Sequence, residues 1–278
     1  MTITIAPTAA EHRTSLRMLC RLEAKSYLTR ASIWIGLGLT IVMATNSGND
    51  WSGASYQWTV PLSIGPFLLG VFIAGVRTGA RDRSSELPGL AEEAPLDAGE
   101  RAIARLAGLV VPVALGALVV IGITVVSRIE GGFWIGEAPR RTDTAQHSVP
   151  ELFQPVLLVA LAGATGVAAG RAVRRAAPVM IVGAVVWFVF FGMAWAWNAN
   201  GLHAFAPLQT QPMDVDLGTA VSLGAHLPTV GWHNVYLIGL SLTACGLAVR
   251  GAIGRRGAMI GLTLALIGVV AQLVVSPV

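Results

Sequence analysis

The chain has 278 residues, 54% of them hydrophobic and 12% charged, with a net charge of +4 and a mean hydropathy of +0.66. Soluble domains carry about 25% charged residues, so these charges are too few to solvate a globular surface. The apolar residues fall in long runs rather than in alternation, which makes lipid the solvent. The basic residues stand at the ends of those runs, where they set topology, and no nucleic-acid partner is expected. The expected fold is all-α: a single transmembrane helix bundle over residues 1–278 in the cell membrane.

In chain order, Met1–Arg30 has no compact apolar stretch followed by a small-residue cleavage site, so no cleaved leader is expected. Within it, Arg13, Arg17, Arg21 and Lys25 recur every fourth residue and draw a basic stripe along a helix over residues 10–30. Leu16, Leu19, Leu22 and Tyr27 offer apolar surface beside the stripe. The stretch reads as an amphipathic helix in the inner interface, with a solvated helix of scattered charge as the alternative.

Seven apolar segments follow, at Ala31–Ala44, Val60–Val76, Ile103–Val126, Pro155–Gly170, Ala177–Trp197, Val235–Val249 and Gly257–Val275. A crossing takes about 20 residues, so the first, fourth and sixth are short, and a re-entrant path for one of them stays open. With the N-terminus inside, 16 basic residues fall on the inner side, against Arg128, Arg140 and Arg141 outside. Trp51, Trp58, Trp134, Trp195, Trp197 and Trp232 fall in or beside the outer segments, as an interfacial belt would. Beyond Arg105 at the inner edge of the third segment, none contains Asp, Glu, Lys, Arg or His. That argues against a proton-driven carrier, which places ionisable groups in the membrane. Cys20, inside, and Cys245, within a span, are too far apart to pair.

The inner loop from Arg77 to Arg105 has structure of its own. Asp97 with Glu100 three residues on forms a capping box that starts a helix through Ala102–Leu106 into the third span, and Pro95 stops any helix before it. Upstream, Ser84-Ser85-Glu86-Leu87 predicts a helical turn, with Leu87, Leu90 and Leu96 as apolar knobs. This is either a docking surface for a cytoplasmic partner or a folded connector without one.

The run Glu86-Leu87-Pro88-Gly89-Leu90-Ala91-Glu92-Glu93-Ala94-Pro95-Leu96-Asp97 resembles the coupling loop of type-2 ABC exporter permeases. Leu19-Cys20-Arg21-Leu22-Glu23-Ala24-Lys25-Ser26-Tyr27-Leu28 is similar to that family's elbow helix, and the resemblance spans about residues 10–250. It implies half of a transmembrane pathway, completed by a second, same or similar permease subunit and driven by a cytoplasmic ABC ATPase. Carried over by position, Glu86, Leu87, Leu90, Pro95, Leu96, Asp97 and Glu100 would meet the ATPase, and Arg13, Arg17, Arg21 and Lys25 would mark the elbow. The family has six spans with the C-terminus inside; the seventh segment here departs from that.

No catalytic or cofactor chemistry is expected. The single lysine, Lys25, lies in no phosphate-binding loop, so any ATP is hydrolysed by another chain. His147, His203, His226 and His233, with Met213, Asp214 and Asp216, match no metal-ligand spacing and read as solvated or hydrogen-bonded outer residues. Gly166-x-x-x-Gly170 and Gly257-x-x-x-Gly261 suit close helix approach, and Pro112 suits a kink. The outer loop over residues 198–234 is either a gate over the exit or a plain connector. Two other classes fit the same sequence: a non-transporting membrane scaffold or sensor subunit, and a sodium-coupled carrier using backbone carbonyls.

Overall fold

The structure is a computed structural model that describes residues 9–47, 64–84, 96–129, 133–134, 141–142, 149–173, 177–186, 202–207, 213–216, 221–225 and 227–275. Its helices are α1 (Ala9–Leu28), α2 (Ala31–Ser47), α3 (Gly65–Ser84), α4 (Ala98–Ala107), α5 (Val110–Ile129), α6 (Val149–Ala172), α7 (Ala177–Val186), α8 (Leu227–Val249) and α9 (Gly251–Val275). A 3-10 turn lies at Leu202–Phe205, and two small antiparallel hairpins pair β1 (Phe133–Trp134) with β2 (Arg141–Thr142) and β3 (Met213–Asp216) with β4 (Val221–Ala225). The protein is a helical membrane protein with two short hairpins added.

Among the described residues four helices are long and apolar enough to cross a membrane: the α4–α5 run, α6, α8 and α9. A fifth is reached if α1 and α2, bent 52° at their junction, form one span. The seven predicted segments map onto this set unevenly. The fourth, sixth and seventh grow at their N-terminal ends, to Val149, Leu227 and Gly251, so the two that looked short are full-length helices. The predicted outer loop over residues 198–234 accordingly gives up its last eight residues to α8. The second segment becomes α3, whose apolar part stops at Val76 because Arg77, Arg81, Asp82 and Arg83 follow on the same helix. Residues 60–63 of the second segment and 187–197 of the fifth lie outside the described residues.

The short apolar part of α3 is the centre of the bundle. Phe67, Leu68, Val71, Phe72, Ala74 and Val76 are all buried. Lipid is as apolar as leucine and supplies no hydrophobic drive between helices, so small residues that admit backbone contact do the joining. A Cβ on Gly70 would overlap the Ser32 carbonyl of α2, and one on Gly75 would stand 2.7 Å from the Gly163 carbonyl of α6. Gly166 and Gly170, the predicted motif, meet the Phe72 and Val76 carbonyls from the other side. The Ser32 hydroxyl donates to Gly70 O at 3.0 Å, and Thr40 Oγ1 accepts the Phe67 N–H at 3.2 Å near the start of α3.

The second seam joins α8 to α9. Arg250 and Gly251 both take positive φ (61° and 65°) and turn the chain back on itself. Gly239 and Gly246 then face Gly261 and Gly254, with Gly268 against Tyr236. The glycines recur every seven residues on both helices, which keeps one close-packed line along a supercoiled pair. Of the predicted Gly257–Gly261 motif only Gly261 is in this seam, since a Cβ on Gly257 would come no nearer than 3.7 Å to Gly246.

Pro112 acts at the start of α5 rather than as a mid-span kink. It cannot donate to Gly108 O, and the Val111 N–H bonds that carbonyl at 3.2 Å in a tight turn that separates α4 from α5.

His233, expected on an outer loop, lies inside α8 and is fully buried. Its ring nitrogens approach Gln272 Oε1 of α9 at 3.0 Å and Pro207 O at 3.1 Å, while the Tyr236 hydroxyl donates to Phe205 O at 2.7 Å. These bonds fasten residues 205–207 to one end of the α8–α9 pair. The segments are therefore less free of ionisable groups than their predicted bounds implied: α8 takes in His233, and α6 begins with a buried Glu151.

Candidate functional site at the arginine-rich end of the bundle

The helix ends that the sequence marks with arginine meet in space. Arg81 of α3, Arg105 of α4, Arg171 of α6 and Arg250 after α8 gather at one end of the bundle, with α1 against it. Arginines here donate to backbone carbonyls at or beside helix ends, and the Arg171 carbonyl, in the last turn of α6, is one that its own helix cannot satisfy. Arg171 Nη1 donates to Ala98 O at 2.9 Å, Arg250 Nη2 to Arg171 O at 2.7 Å and Arg101 Nη1 to Leu96 O at 2.6 Å.

The predicted capping box is present in full. Asp97 Oδ1 accepts the Glu100 N–H at 2.8 Å, and Glu100 Oε2 accepts the Asp97 N–H at 2.9 Å. Glu100 has a second role: its Oε1 lies 2.5 Å from His12 Nε2 of α1, so the start of α4 is tied to α1. A continuous path of polar bonds thus runs from α1 through α4 and α6 to α8. Of the residues assigned to the docking loop, Asp97 is exposed and Glu100 half-buried, while Leu96 is only 7% exposed. Leu96 therefore packs inward and anchors the end of the loop rather than offering an apolar knob. Glu86, Leu87, Leu90 and Pro95 lie outside the described residues.

On α1, Arg13, Arg17, Arg21 and Lys25 are all exposed along one face. Tyr27 is fully buried and Leu16 and Leu19 half-buried, so that apolar face meets the bundle. Met18 and Leu22, 60% and 56% exposed, are apolar residues of α1 that stay outside the bundle beside the basic stripe.

The feature missing from the sequence reading is Glu23. It falls on the bundle-facing side of α1, 5% exposed, and its Oε2 accepts from Arg81 Nη1 at 2.8 Å and from Ser26 Oγ at 3.3 Å. Its Oε1 stands 3.8 Å from Arg105 Nε, within ion-pair range. One carboxylate thus ties α1, α3 and α4 together. The signal was available: an acid on the apolar side of an amphipathic helix needs a buried cation. Gly108 makes room for this junction, since a Cβ there would press on Glu23 and Tyr27. Burial pushes the Tyr27 phenol well above its ordinary value, partly offset by the Thr78 hydroxyl beside it.

Among the described residues no group of three or more His, Cys, Asp or Glu side chains could hold a metal ion, and both cysteines are free. The side chains of His147, His203, His226, Met213, Asp214 and Asp216 lie outside the described set. What the arginine-rich end offers is mechanical: a capped helix at the end of a loop, bonded to helices long and apolar enough to cross a membrane. No protein-family model, curated protein or solved structure matches the chain.

Proposed function

We propose that the chain is the membrane-spanning permease subunit of an ABC-type exporter, with seven spans and its N-terminus in the cytoplasm. It pairs with a second permease subunit, the same or similar, and a separate cytoplasmic ATPase supplies the energy. The observation that carries this reading is the bond path from Glu100 to His12, from Ala98 to Arg171 and on to Arg250. A push on the loop before Asp97 moves α1, α4, α6 and α8 as one piece, which is what a transporter driven from outside its own chain requires. Substrate passes along an apolar face between subunits, which suits an apolar, peptide or lipid-like cargo.

The test is ATP hydrolysis in native membranes that carry the wild-type chain, Leu87→Ala or Glu100→Ala. A fall in turnover with unchanged membrane insertion supports the permease. Turnover indifferent to both substitutions refutes it and favours a scaffold or sensor subunit. Leu96 is unsuited to this experiment because its truncation would disturb packing.

A further inference from the structure

The arginine-rich end holds more positive charge than its described carboxylates balance, and the excess collects at one place. Four guanidinium groups, on Arg30, Arg77, Arg81 and Arg105, surround the junction of α1, α2 and α3. The carboxylate described there is Glu23, already engaged with Arg81 and Arg105. Arg30 stands in the elbow between α1 and α2, where its N–H bonds Tyr27 O at 3.2 Å. Its Nε is buried without a hydrogen-bond partner. Arg77 is exposed one helical turn before Arg81, and among the described residues it has no ion pair. Burial, then repulsion from Arg81 and Arg77, pulls the Arg30 guanidinium below its ordinary value. Arginine nevertheless stays protonated in proteins, and a buried donor left unmade is costly. An anion with several acceptor oxygens removes both costs.

The surroundings select the anion. One turn beyond Arg30, Trp34 is exposed and its indole N–H donates to Leu28 O at 2.6 Å, with Ile35 exposed next to it. An indole held at a helix end marks the headgroup level of a bilayer, and the two side chains offer a wall for an acyl chain. We propose that the α1–α2 elbow and the inner end of α3 bind the phosphate of an anionic phospholipid, with Arg30 and Arg77 as its ligands and Trp34 and Ile35 against its acyl chain. Free inorganic phosphate shares the headgroup chemistry but gains nothing from the apolar wall.

Thermal unfolding of the purified full chain tests this in three settings: phosphatidylcholine nanodiscs, the same with inorganic phosphate added, and nanodiscs containing phosphatidylglycerol. Phosphatidylglycerol is expected to raise the wild-type Tm by about 5 °C over phosphatidylcholine, as for a ligand well above its Kd in a chain of this size. Arg77→Gln should lose most of that shift, and Arg30→Gln likewise. Arg255→Gln/Arg256→Gln, which removes two charges from α9, should keep it. Equal Tm in the two lipids overturns the proposal, as does a full shift in Arg77→Gln. Because Arg77 is exposed, that variant decides the matter even where Arg30→Gln does not fold. A shift of the same size from inorganic phosphate alone overturns the lipid as ligand.

Discussion

Replacing Glu23 by glutamine keeps the shape of the side chain and removes the charge on which three helices converge. The Arg81 pair is short at 2.8 Å, but the Arg81 side chain is 38% exposed, so solvent screening holds its loss to about 1 kcal/mol. The Arg105 pair is longer at 3.8 Å, yet both side chains are less than a tenth exposed. Stripping the partner from a buried charge costs about 3–5 kcal/mol; the longer separation and the remaining contacts of Arg105 bring this nearer to about 2 kcal/mol. The expected total for Glu23→Gln is therefore about 3 kcal/mol, read from reversible unfolding in mixed micelles. The double variant Glu23→Gln/Arg105→Met removes the orphaned charge as well and should recover at least half of the loss. A single-variant cost under about 0.5 kcal/mol, the range of an ordinary surface change, would refute the assignment of Glu23 as a clamp. So would a double variant less stable than the single.

Three further outcomes follow from the same geometry. Gly261→Leu, in the α8–α9 seam where a Cβ would already stand 2.6 Å from Gly239 O, should lower stability by about 3 kcal/mol or more, whereas Gly257→Ala, with room at 3.7 Å, should cost nothing measurable; equal effects in the unfolding assay would place the seam elsewhere. The raised Tyr27 phenol keeps its proton in the folded state while the unfolded chain ionises above its ordinary value of 10.0. Wild-type stability should therefore hold below pH 10 and fall above it, and Tyr27→Phe, near-neutral at pH 7, should flatten that fall; an unchanged alkaline slope would contradict the burial. His233→Ala removes the contacts to Gln272 and Pro207 and should speed proteolysis near residue 207, at a cost of about 2 kcal/mol; protection equal to wild type would show that residues 205–207 are held by other means.

Membrane embedding was legible because it depends on composition and run length, which survive any error about helix ends. The capping box was legible for the opposite reason: Asp97 and Glu100 act within one turn, so spacing alone specifies their bonds. Helix ends were harder to read. His233 and Glu151 stood outside the predicted segments, yet each is buried within a helix, and His233 is held there by Gln272 and Pro207, both distant in sequence. The glycine seams were half-visible, since the Gly-x-x-x-Gly pattern found Gly166, Gly170 and Gly261. The α8–α9 pair repeats every seven residues, however, and which of these glycines face one another shows only when both helices are laid side by side. Leu16, Leu19 and Tyr27 looked lipid-facing because the sequence of α1 does not show that its apolar side has a protein partner. Glu23 was missed for the same reason, since its arginines lie 58 and 82 residues away.

The most direct measurement is affinity purification of the tagged chain from its native membranes, with its partners identified and counted. The expected result is a P-loop ATPase recovered in a fixed ratio to the chain, with recovery falling when Leu87 is replaced by alanine. Recovery of the intact chain with no nucleotide-hydrolysing partner would contradict the account of a permease driven through the loop that ends at Asp97.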